Sequence, residues 1–360
     1  MKKTHHSLKT ALLVPITLFI TAALVHADPG PHSFDWQNLE SDIAGVARHV
    51  DPNLINSWGM ALNTSGNIWV NDNGAGVATV YHQDGTPVPN SATPLVVAIP
   101  PSASNSGGAN PTGIVANTTS FFKVTKNNNS LPSKFIFVSE DGMISGWNPS
   151  LDGRHAIPAR DNGGTGAVYK GATMGLANGH NFLYVTNFHA GQVETYDENF
   201  QPVAGFPFVD PGLPAGYAPF GIRNLNGQIY VTYAKQKLPD KHDDEAGPGH
   251  GFINVFNTHG KFLKRLVSRG NLNSPWGLAL TGFPIGDVEI LGLFVGNFGD
   301  GHINVYNPVD GNFIGTPKTS DGTPLAFNGL WDLLPATSGI FFTAGIADEA
   351  HGLFGVITSN

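Results

Sequence analysis

The sequence predicts an all-β protein folded as a six-bladed β-propeller. A five-residue phrase, centred on a glycine in five copies and on Asp332 in the sixth, recurs six times at spacings of 46 to 62 residues. The copies span residues 57–61, 111–115, 173–177, 219–223, 275–279 and 330–334. No stretch between them shows a sustained helical period of 3.6 residues. Recurrence at this spacing without helices predicts propeller blades rather than βαβ units.

Each repeat continues with two strands that are rich in aromatic and β-branched residues. The second strands are predicted at residues 67–70, 135–138, 182–185, 228–231, 293–295 and 340–343. The third strands end on an aromatic residue in five repeats, at Tyr81, Trp147, Tyr196, Phe256 and Tyr306, and on Ile357 in the sixth. With a less regular outer strand added, each repeat has the composition of one blade.

Ring closure is predicted to involve the N-terminal part of the chain. The sixth repeat reaches Asn360 with its third strand, so its outer strand must come from elsewhere. The segment 41–50 stands before the first repeat in the place of an outer strand. We therefore expect residues 41–50 to complete the last blade, which removes the exposed sheet edges that promote aggregation.

The repeat resembles the NHL-repeat propellers. It shares their Pro-x-Gly-apolar start, their apolar-Tyr-Val second strand and their third strand ending in an aromatic residue, over nearly all of residues 36–360. As a whole, with its Trp-Gly phrases, the chain also resembles an uncharacterised secreted bacterial family of NHL-like propellers. This resemblance implies the fold and no particular activity.

The first 27 residues predict a signal peptide. Two lysines precede an apolar run over 11–25, and small residues stand at the −3 and −1 positions of a cleavage site after Ala27. The run contains Pro15 and is shorter than the roughly 20 residues that a membrane-spanning helix needs. We therefore expect residues 28–360 to form a single secreted or periplasmic domain without a membrane span.

The charge balance excludes nucleic acid as an expected partner. The chain has 19 Lys and Arg against 27 Asp and Glu, a net charge of −8, whereas a nucleic-acid binder needs a basic surface. It has no cysteine, so disulfides and thiolate metal sites are excluded and the fold depends on its apolar core. We expect a monomer.

The residue before each repeat glycine is expected to face the central tunnel. The six are Trp58, Thr112, Met174, Phe220, Trp276 and Trp331. In the NHL-like peptidyl-hydroxyglycine lyases this position carries zinc-binding histidines, and in gluconolactonase-type propellers metal-binding Asn or Asp. None of the six is of these types, so the resemblance implies neither activity. The aromatic rings either plug the tunnel as core or form an apolar or sugar-stacking platform at its mouth.

Asp332 replaces the glycine of the sixth phrase. Its carboxylate is expected either to turn into the tunnel as a functional group or to be bonded by neighbouring backbone amides.

Acids and histidines recur on the loops between second and third strands. The candidates are Asp72, His189, His250, His302 and His351, with Glu140 and Asp141 on the second loop. If they converge, they could hold a divalent metal such as zinc or calcium, or act as acid and base. The alternative is that they are turn residues that cap local backbone. The insertion 235–249 carries three consecutive acids and is expected to be a solvated flap, since it lacks the alternating ligands of a calcium loop.

Two classes of function remain. The preferred class is a binding or scaffold protein for a small apolar, glycan or peptide ligand at one face of the disc. The alternative is a metal-dependent hydrolase or lyase that uses the loop histidines. The sequence has no nucleophile elbow and no glycine-rich phosphate loop that would favour another chemistry.

Overall fold

The computed structural model describes residues 33–285 and 288–360, and it confirms the six-bladed β-propeller. The predicted signal peptide, residues 1–27, lies outside the described residues. In each blade the first strand is innermost, and each first strand contacts the first strand of the next blade around a closed ring. Among the described residues no helix is long and apolar enough to cross a bilayer.

The blades are antiparallel sheets of consecutive strands. Blade one contains β3 (Ser57–Leu62), β4 (Ile68–Asp72), β5 (Val77–Tyr81) and β6 (Val96–Ala98). Blade two contains β7 (Pro111–Ala116), β10 (Phe135–Ser139), β11 (Met143–Trp147) and β12 (Ile157–Asp161), with a separate hairpin of β8 (Lys123–Lys126) and β9 (Asn129–Pro132). Blade three contains β13 (Tyr169–Ala177), β14 (His180–Asn187) and β15 (Gln192–Tyr196).

The other three blades include the ring closure. Blade four contains β16 (Tyr217–Leu225), β17 (Gln228–Lys235), β18 (Gly251–Asn257) and β19 (Phe262–Ser268). Blade five contains β20 (Pro275–Ile285), β21 (Val288–Asn297), β22 (Ile303–Tyr306) and β23 (Phe313–Gly315). Blade six contains β24 (Leu330–Ala336), β25 (Gly339–Ile346) and β26 (His351–Ser359), completed by β1 (Phe34–Ser41) and β2 (His49–Val50).

Neighbouring blades pack face to face through the aromatic residues of their strands. Trp69 of blade one stacks on Phe135 of blade two with ring centroids 4.1 Å apart, and Trp147 lies 4.8 Å from the same indole. All three side chains are buried. Large rings remove much apolar surface from water, so these inter-blade layers supply the core of a protein without disulfides.

The N-terminal strand closes the ring, but the predicted residues were wrong. Residues 34–41, not 41–50, pair antiparallel with β26 and form the outer strand of blade six. Phe34 stacks on Phe283 and Leu39 is fully buried, which fixes β1 against the core. Residues 42–48 form bends and turns, and only β2 returns to pair with Glu40 and Ser41.

The repeat glycines allow the inner strands to approach each other closely. A Cβ placed on Gly59 would lie 2.4 Å from the carbonyl oxygen of Thr112 in the next blade, and one on Gly221 would lie 2.2 Å from that of Trp276. Real Cβ atoms do not come this near to backbone, so these positions admit only glycine without a shift of the strands.

The same contacts correct the register of blade three. A Cβ on Gly113 would lie 3.0 Å from the Cα of Gly171, and one on Gly171 would lie 3.1 Å from the carbonyl oxygen of Phe220. The tunnel phrase of this blade is therefore Tyr169-Lys170-Gly171, and the prediction of Met174 as its tunnel residue was wrong. Two glycines four residues apart on one long strand both fit the sequence pattern, and only the contact with the neighbouring blades distinguishes them.

Asp332, in the place of the sixth glycine, is bonded to the surrounding chain. Its carboxylate accepts hydrogen bonds from the backbone amides of Met60 at 2.8 Å and Leu333 at 2.7 Å. Arg223 binds both carboxylate oxygens, at 2.7 and 2.8 Å. Burial raises the pKa of Asp332, and Arg223 opposes that rise. Asp332 thus joins blade six to blades one and four instead of facing a ligand.

Candidate functional site

The aromatic tunnel residues form a packed core. Trp58, Phe220, Trp276 and Trp331 are at most 6% exposed, and Phe188 and Phe298 join the same cluster. The rings of Trp58 and Trp331 stack with centroids 3.5 Å apart. Their burial matches the plug interpretation, because no ring face is left open for an apolar or sugar ligand to stack on.

The corrected register places a lysine at the tunnel position of blade three. The side chain of Lys170 is 3% exposed, its ammonium lies 5.2 Å from the centroid of the Trp58 ring, and it pairs with the carboxylate of Glu140. Asp243 lies 3.8 Å away. Burial disfavours the charged amine, but the carboxylates of Glu140, Asp243 and Asp244 together outweigh it, and the pKa of Lys170 is raised. The amine therefore remains an ammonium and is not a nucleophile at neutral pH.

Two asparagines connect this ion pair to the aromatic plug. The Oδ1 atom of Asn56 accepts hydrogen bonds from the indole N–H groups of Trp58 and Trp331, each at 3.0 Å. The amide of Asn56 donates to Asn73 at 3.3 Å, and Asn73 donates to Glu140 at 2.9 Å. The plug and the ion pair are thus one continuous polar network, which fixes the Glu140 carboxylate beside Lys170.

The insertion in blade four forms part of the same cluster. Backbone hydrogen bonds within the insertion hold its shape: the amide of Lys237 donates to the carbonyl oxygen of Asp243 at 2.8 Å, and that of Glu245 to the carbonyl oxygen of Lys235 at 2.7 Å. His242 contacts Asp243 through Nδ1 at 2.8 Å; this contact raises the pKa of His242 and lowers that of Asp243 to about 2. The expected solvated flap instead directs a histidine and an acid at Glu140 and Lys170.

A strained turn in blade six supplies another carboxylate. Ala347, Asp348 and Glu349 have φ angles of 54°, 54° and 66°, three consecutive non-glycine residues in the left-handed region. Glu349 Oε2 accepts a hydrogen bond from Asn56 at 2.7 Å, and burial raises the pKa of Glu349. Left-handed backbone at non-glycine residues costs about 1–3 kcal/mol each and is concentrated at functional sites.

We call this group the tunnel-mouth cluster: Asn56, Asn73, Glu140, Lys170, His242, Asp243, Asp244 and Glu349. Its four acids outnumber its one permanent cation, Lys170. Within the part of the chain that the structure describes, it contains the one group of three potential metal ligands, Glu140, His242 and Asp243, whose donor atoms lie within 4.8 Å of one another. A cavity of about 420 Å³ adjoins Glu140 and His242.

The structure does not bring the four predicted loop histidines together. His250 contacts the backbone oxygen of Glu245 at 2.8 Å, His302 lies 3.4 Å from Asp300, and His351 contacts Asp42 at 2.6 Å. His189 is exposed at another cavity. His250 thus contacts local backbone, as the capping alternative expects, whereas His302 and His351 contact nearby aspartates.

Asp72 is enclosed in the protein interior. It is the last residue of β4, is fully buried and accepts a hydrogen bond from Thr79 at 2.8 Å. Burial raises its pKa well above the ordinary value.

A larger cavity lies beside β15 of blade three. It measures about 570 Å³ and is lined by Arg160, His189, Glu194 and Tyr196, among others. The carboxylate of Glu194 already accepts hydrogen bonds from Tyr169 at 2.7 Å and Asn187 at 2.7 Å. The tunnel-mouth cluster differs in holding two acids, Asp244 and Glu349, whose pKa is raised by burial, and we place the candidate site there.

The fold is similar to that of several solved structures. Virginiamycin B lyase from Staphylococcus aureus is 14% identical with a TM-score of 0.50, over 91% of this chain and 99% of that one. The soluble aldose sugar dehydrogenase from Escherichia coli is 12% identical with a TM-score of 0.53, again over 91% and 99%. A Bacteroides thetaiotaomicron protein of unknown function is 12% identical with a TM-score of 0.54, over 91% and 77%. At these identities the likeness shows the fold alone.

No family model matches the sequence. Two uncharacterised proteins of Acanthamoeba polyphaga mimivirus are each 32% identical to it. The first match covers 330 residues, 89% of this chain and 78% of the relative, and the second covers 326 residues, 88% and 83%. These relatives are viral, so they do not support the secreted bacterial family expected from the sequence. The chain belongs to the family of these mimivirus proteins.

Proposed function

We propose that this protein is a ligand-binding propeller that holds a small cationic ligand, a primary amine such as a peptide N-terminus or a lysine side chain, at the tunnel-mouth cluster. The observation that carries the proposal is the excess of carboxylates around one buried lysine. Glu140 is neutralised by Lys170, whereas Asp244 and Glu349 have raised pKa values because burial disfavours their charge. A bound ammonium would compensate these charges.

The geometry favours an amine over the other ligands considered. An apolar or sugar ligand would need an open ring, and the plug rings are buried. An anionic ligand would need a free cation, but the Lys170 ammonium is enclosed by Glu140, Asp243 and the Trp58 ring. We also propose that residues 1–27 direct export and are removed, so that the propeller meets its ligand outside the cytoplasm.

Calorimetry with named probes tests the amine proposal. Spermidine and trilysine should bind the full-length mature protein, whereas glucose and glutamate should not. Glu349→Gln removes one carboxylate charge and should weaken trilysine binding several-fold. Glu198→Gln, a distant acid bonded to Asn181, is the matched control and should bind like the parent. Equal affinity for the cationic, neutral and anionic probes would overturn the proposal.

A metal-dependent hydrolase or lyase is the second candidate. The observation that favours it is the Glu140, His242 and Asp243 group, which offers the oxygen and nitrogen donors of a divalent site. The adjacent ammonium of Lys170 opposes it, since like charges repel.

Elemental analysis of untagged protein distinguishes the two candidates. Stoichiometric zinc in the parent and its loss in His242→Ala would favour the metalloenzyme. Metal-free protein that binds trilysine would favour the amine-binding propeller.

A further inference from the structure

A second acidic group lies at the ring closure. Glu40 belongs to the closing strand β1 and pairs with Phe354 of β26 and His49 of β2. The residue is 0% exposed, and neither carboxylate oxygen has a hydrogen-bond partner among the described residues. Burying a carboxylate without a hydrogen-bond partner costs free energy, so this group indicates a partner that the protein itself does not supply.

The neighbours of Glu40 offer more oxygens. A cavity of about 320 Å³ is lined by Glu40, Asp51 and Asn53, with His49 and Ser91 nearby. Asp51 is 6% exposed; its Oδ1 atom accepts hydrogen bonds from the backbone and side chain of Asn53 at 2.8 Å, and its Oδ2 atom accepts one from Tyr81 at 2.9 Å. Asp51 therefore holds its carboxylate in a fixed position at the cavity.

The protein supplies no counter-charge here. Among residues 33–285 and 288–360, no lysine or arginine forms an ion pair with Glu40, Asp51 or Asp72. Asp72 behind them has one buried oxygen without a partner. Burial, reinforced by the charge of Asp51, raises the pKa of Glu40 to about 8. Without a cation, these acids retain protons or repel one another.

We propose that the cavity beside Glu40 and Asp51 is a calcium site whose ion links the closing strand to the turn that leads into blade one. The carboxylates of Glu40 and Asp51, the Asn53 side chain and water provide oxygen donors, which calcium prefers in six- to eight-coordinate shells. The smaller magnesium ion demands a stricter octahedron and gives up its water reluctantly, so it should bind less well. An ion held here would stabilise the ring where its two chain ends meet.

Thermal unfolding of the chelator-treated mature protein tests the proposal. Millimolar calcium should raise the melting temperature by about 3–5 °C in a saturable way, because the ion binds only the folded ring. Magnesium should raise it less and sodium at equal ionic strength not at all. Calorimetry should give one calcium per chain.

Glu40→Gln is the informative variant, since Glu40 has no protein hydrogen bond to lose. Without calcium it should melt at or above the parent temperature, and with calcium its melting temperature should not change. Glu198→Gln is the control and should respond to calcium like the parent. An absent shift in the parent, or an equal shift in Glu40→Gln, would refute the site. Because Glu40 lies outside the tunnel-mouth cluster, this result is independent of trilysine binding.

Discussion

The six equivalent positions around the tunnel divide into an aromatic arc and a polar arc. Blades four, five, six and one carry Phe220, Trp276, Trp331 and Trp58, which pack on each other. Blades two and three carry Thr112 and Lys170, both buried. The backbone positions are equivalent around the ring, so only the side chains determine which arc is a packed core and which is a charged site.

Different interactions stabilise the two arcs. The aromatic arc needs only complementary rings, because burial of apolar surface is non-directional. Each polar side chain needs a partner placed by another blade: Glu140 for Lys170, and the carbonyl oxygen of Tyr169 for Thr112 at 2.7 Å. The arcs meet where the Trp276 indole donates to the carbonyl oxygen of Lys170 at 2.9 Å. The aromatic core of the ring therefore gives little information about function, and the residues that depart from its packing, such as Lys170, give more.

The largest expected effect is a truncation in the aromatic arc. Trp331→Ala should lower the free energy of unfolding by about 3–5 kcal/mol, because it leaves a large cavity among the rings of Trp58, Phe298 and Phe220. Denaturant unfolding measures it. Trp36→Ala, which removes an indole that is 48% exposed, is the control and should cost far less. Similar losses in both variants would show that the arc is not core.

The next effect concerns the polar arc. Lys170→Met keeps the volume but leaves Glu140 without its cation, and should cost about 2–3 kcal/mol, somewhat less than a fully buried pair because the Glu140 side chain is 12% exposed. Adding Glu140→Gln removes the unpaired charge and should restore most of the loss. If the double variant is no more stable than Lys170→Met alone, the ion pair is not what holds this arc together.

The fold could be predicted from the sequence because its signals are local. The repeat glycines, the aromatic strands and the need for an N-terminal closing strand all follow from short stretches. The residues of the closing strand were missed for a physical reason. Val46 and Ala47 lie in turns and bends but pack against the core, which requires apolar side chains. These apolar residues make the segment 41–50 resemble a strand in composition.

The tunnel-mouth cluster could not be predicted because its contacts join distant parts of the chain. Gly171 and Gly175 compete for one pattern, and choosing Gly175 concealed Lys170. His242 lies in an insertion outside the repeat, and its neighbour Glu140 lies in blade two. Sequence reasoning identified the Glu140 loop as acidic but had no means to pair it with a lysine of the next blade.

A smaller effect is expected at Thr112, the other residue of the polar arc. Thr112→Val keeps the shape and removes the hydroxyl that bonds to the carbonyl oxygens of Tyr169 at 2.7 Å and Val138 at 3.2 Å. The loss should be about 1 kcal/mol, the usual contribution of one such bond, and denaturant unfolding can resolve it. Thr125→Val, on the exposed side of the β8–β9 hairpin, is the control and should be nearly neutral. A neutral Thr112→Val would mean that the hydroxyl only fills space.

The smallest effect is a difference in pH dependence between two glutamates. Burial raises the pKa of Glu349 above 4.5, so between pH 4.5 and the raised value the folded protein holds more protons than the unfolded chain. Its contribution to stability therefore falls as the pH rises through that window. Glu349→Gln should equal the parent below about pH 4.5 and exceed it by a few tenths of a kcal/mol at neutral pH, since the group is partly exposed.

The stability contribution of Glu198 should depend on pH in the opposite direction, in the same measurement. Hydrogen bonds from Asn181 lower its pKa, so its contribution is present above pH 4.5 and is lost as the pH falls through the lowered value. Glu198→Gln should therefore be less stable than the parent at neutral pH and approach it in acid. Free energies of unfolding across the pH range measure both variants. If both slopes have the same sign, Glu349 is not an uncompensated carboxylate, and the tunnel mouth loses the charge that would attract an amine.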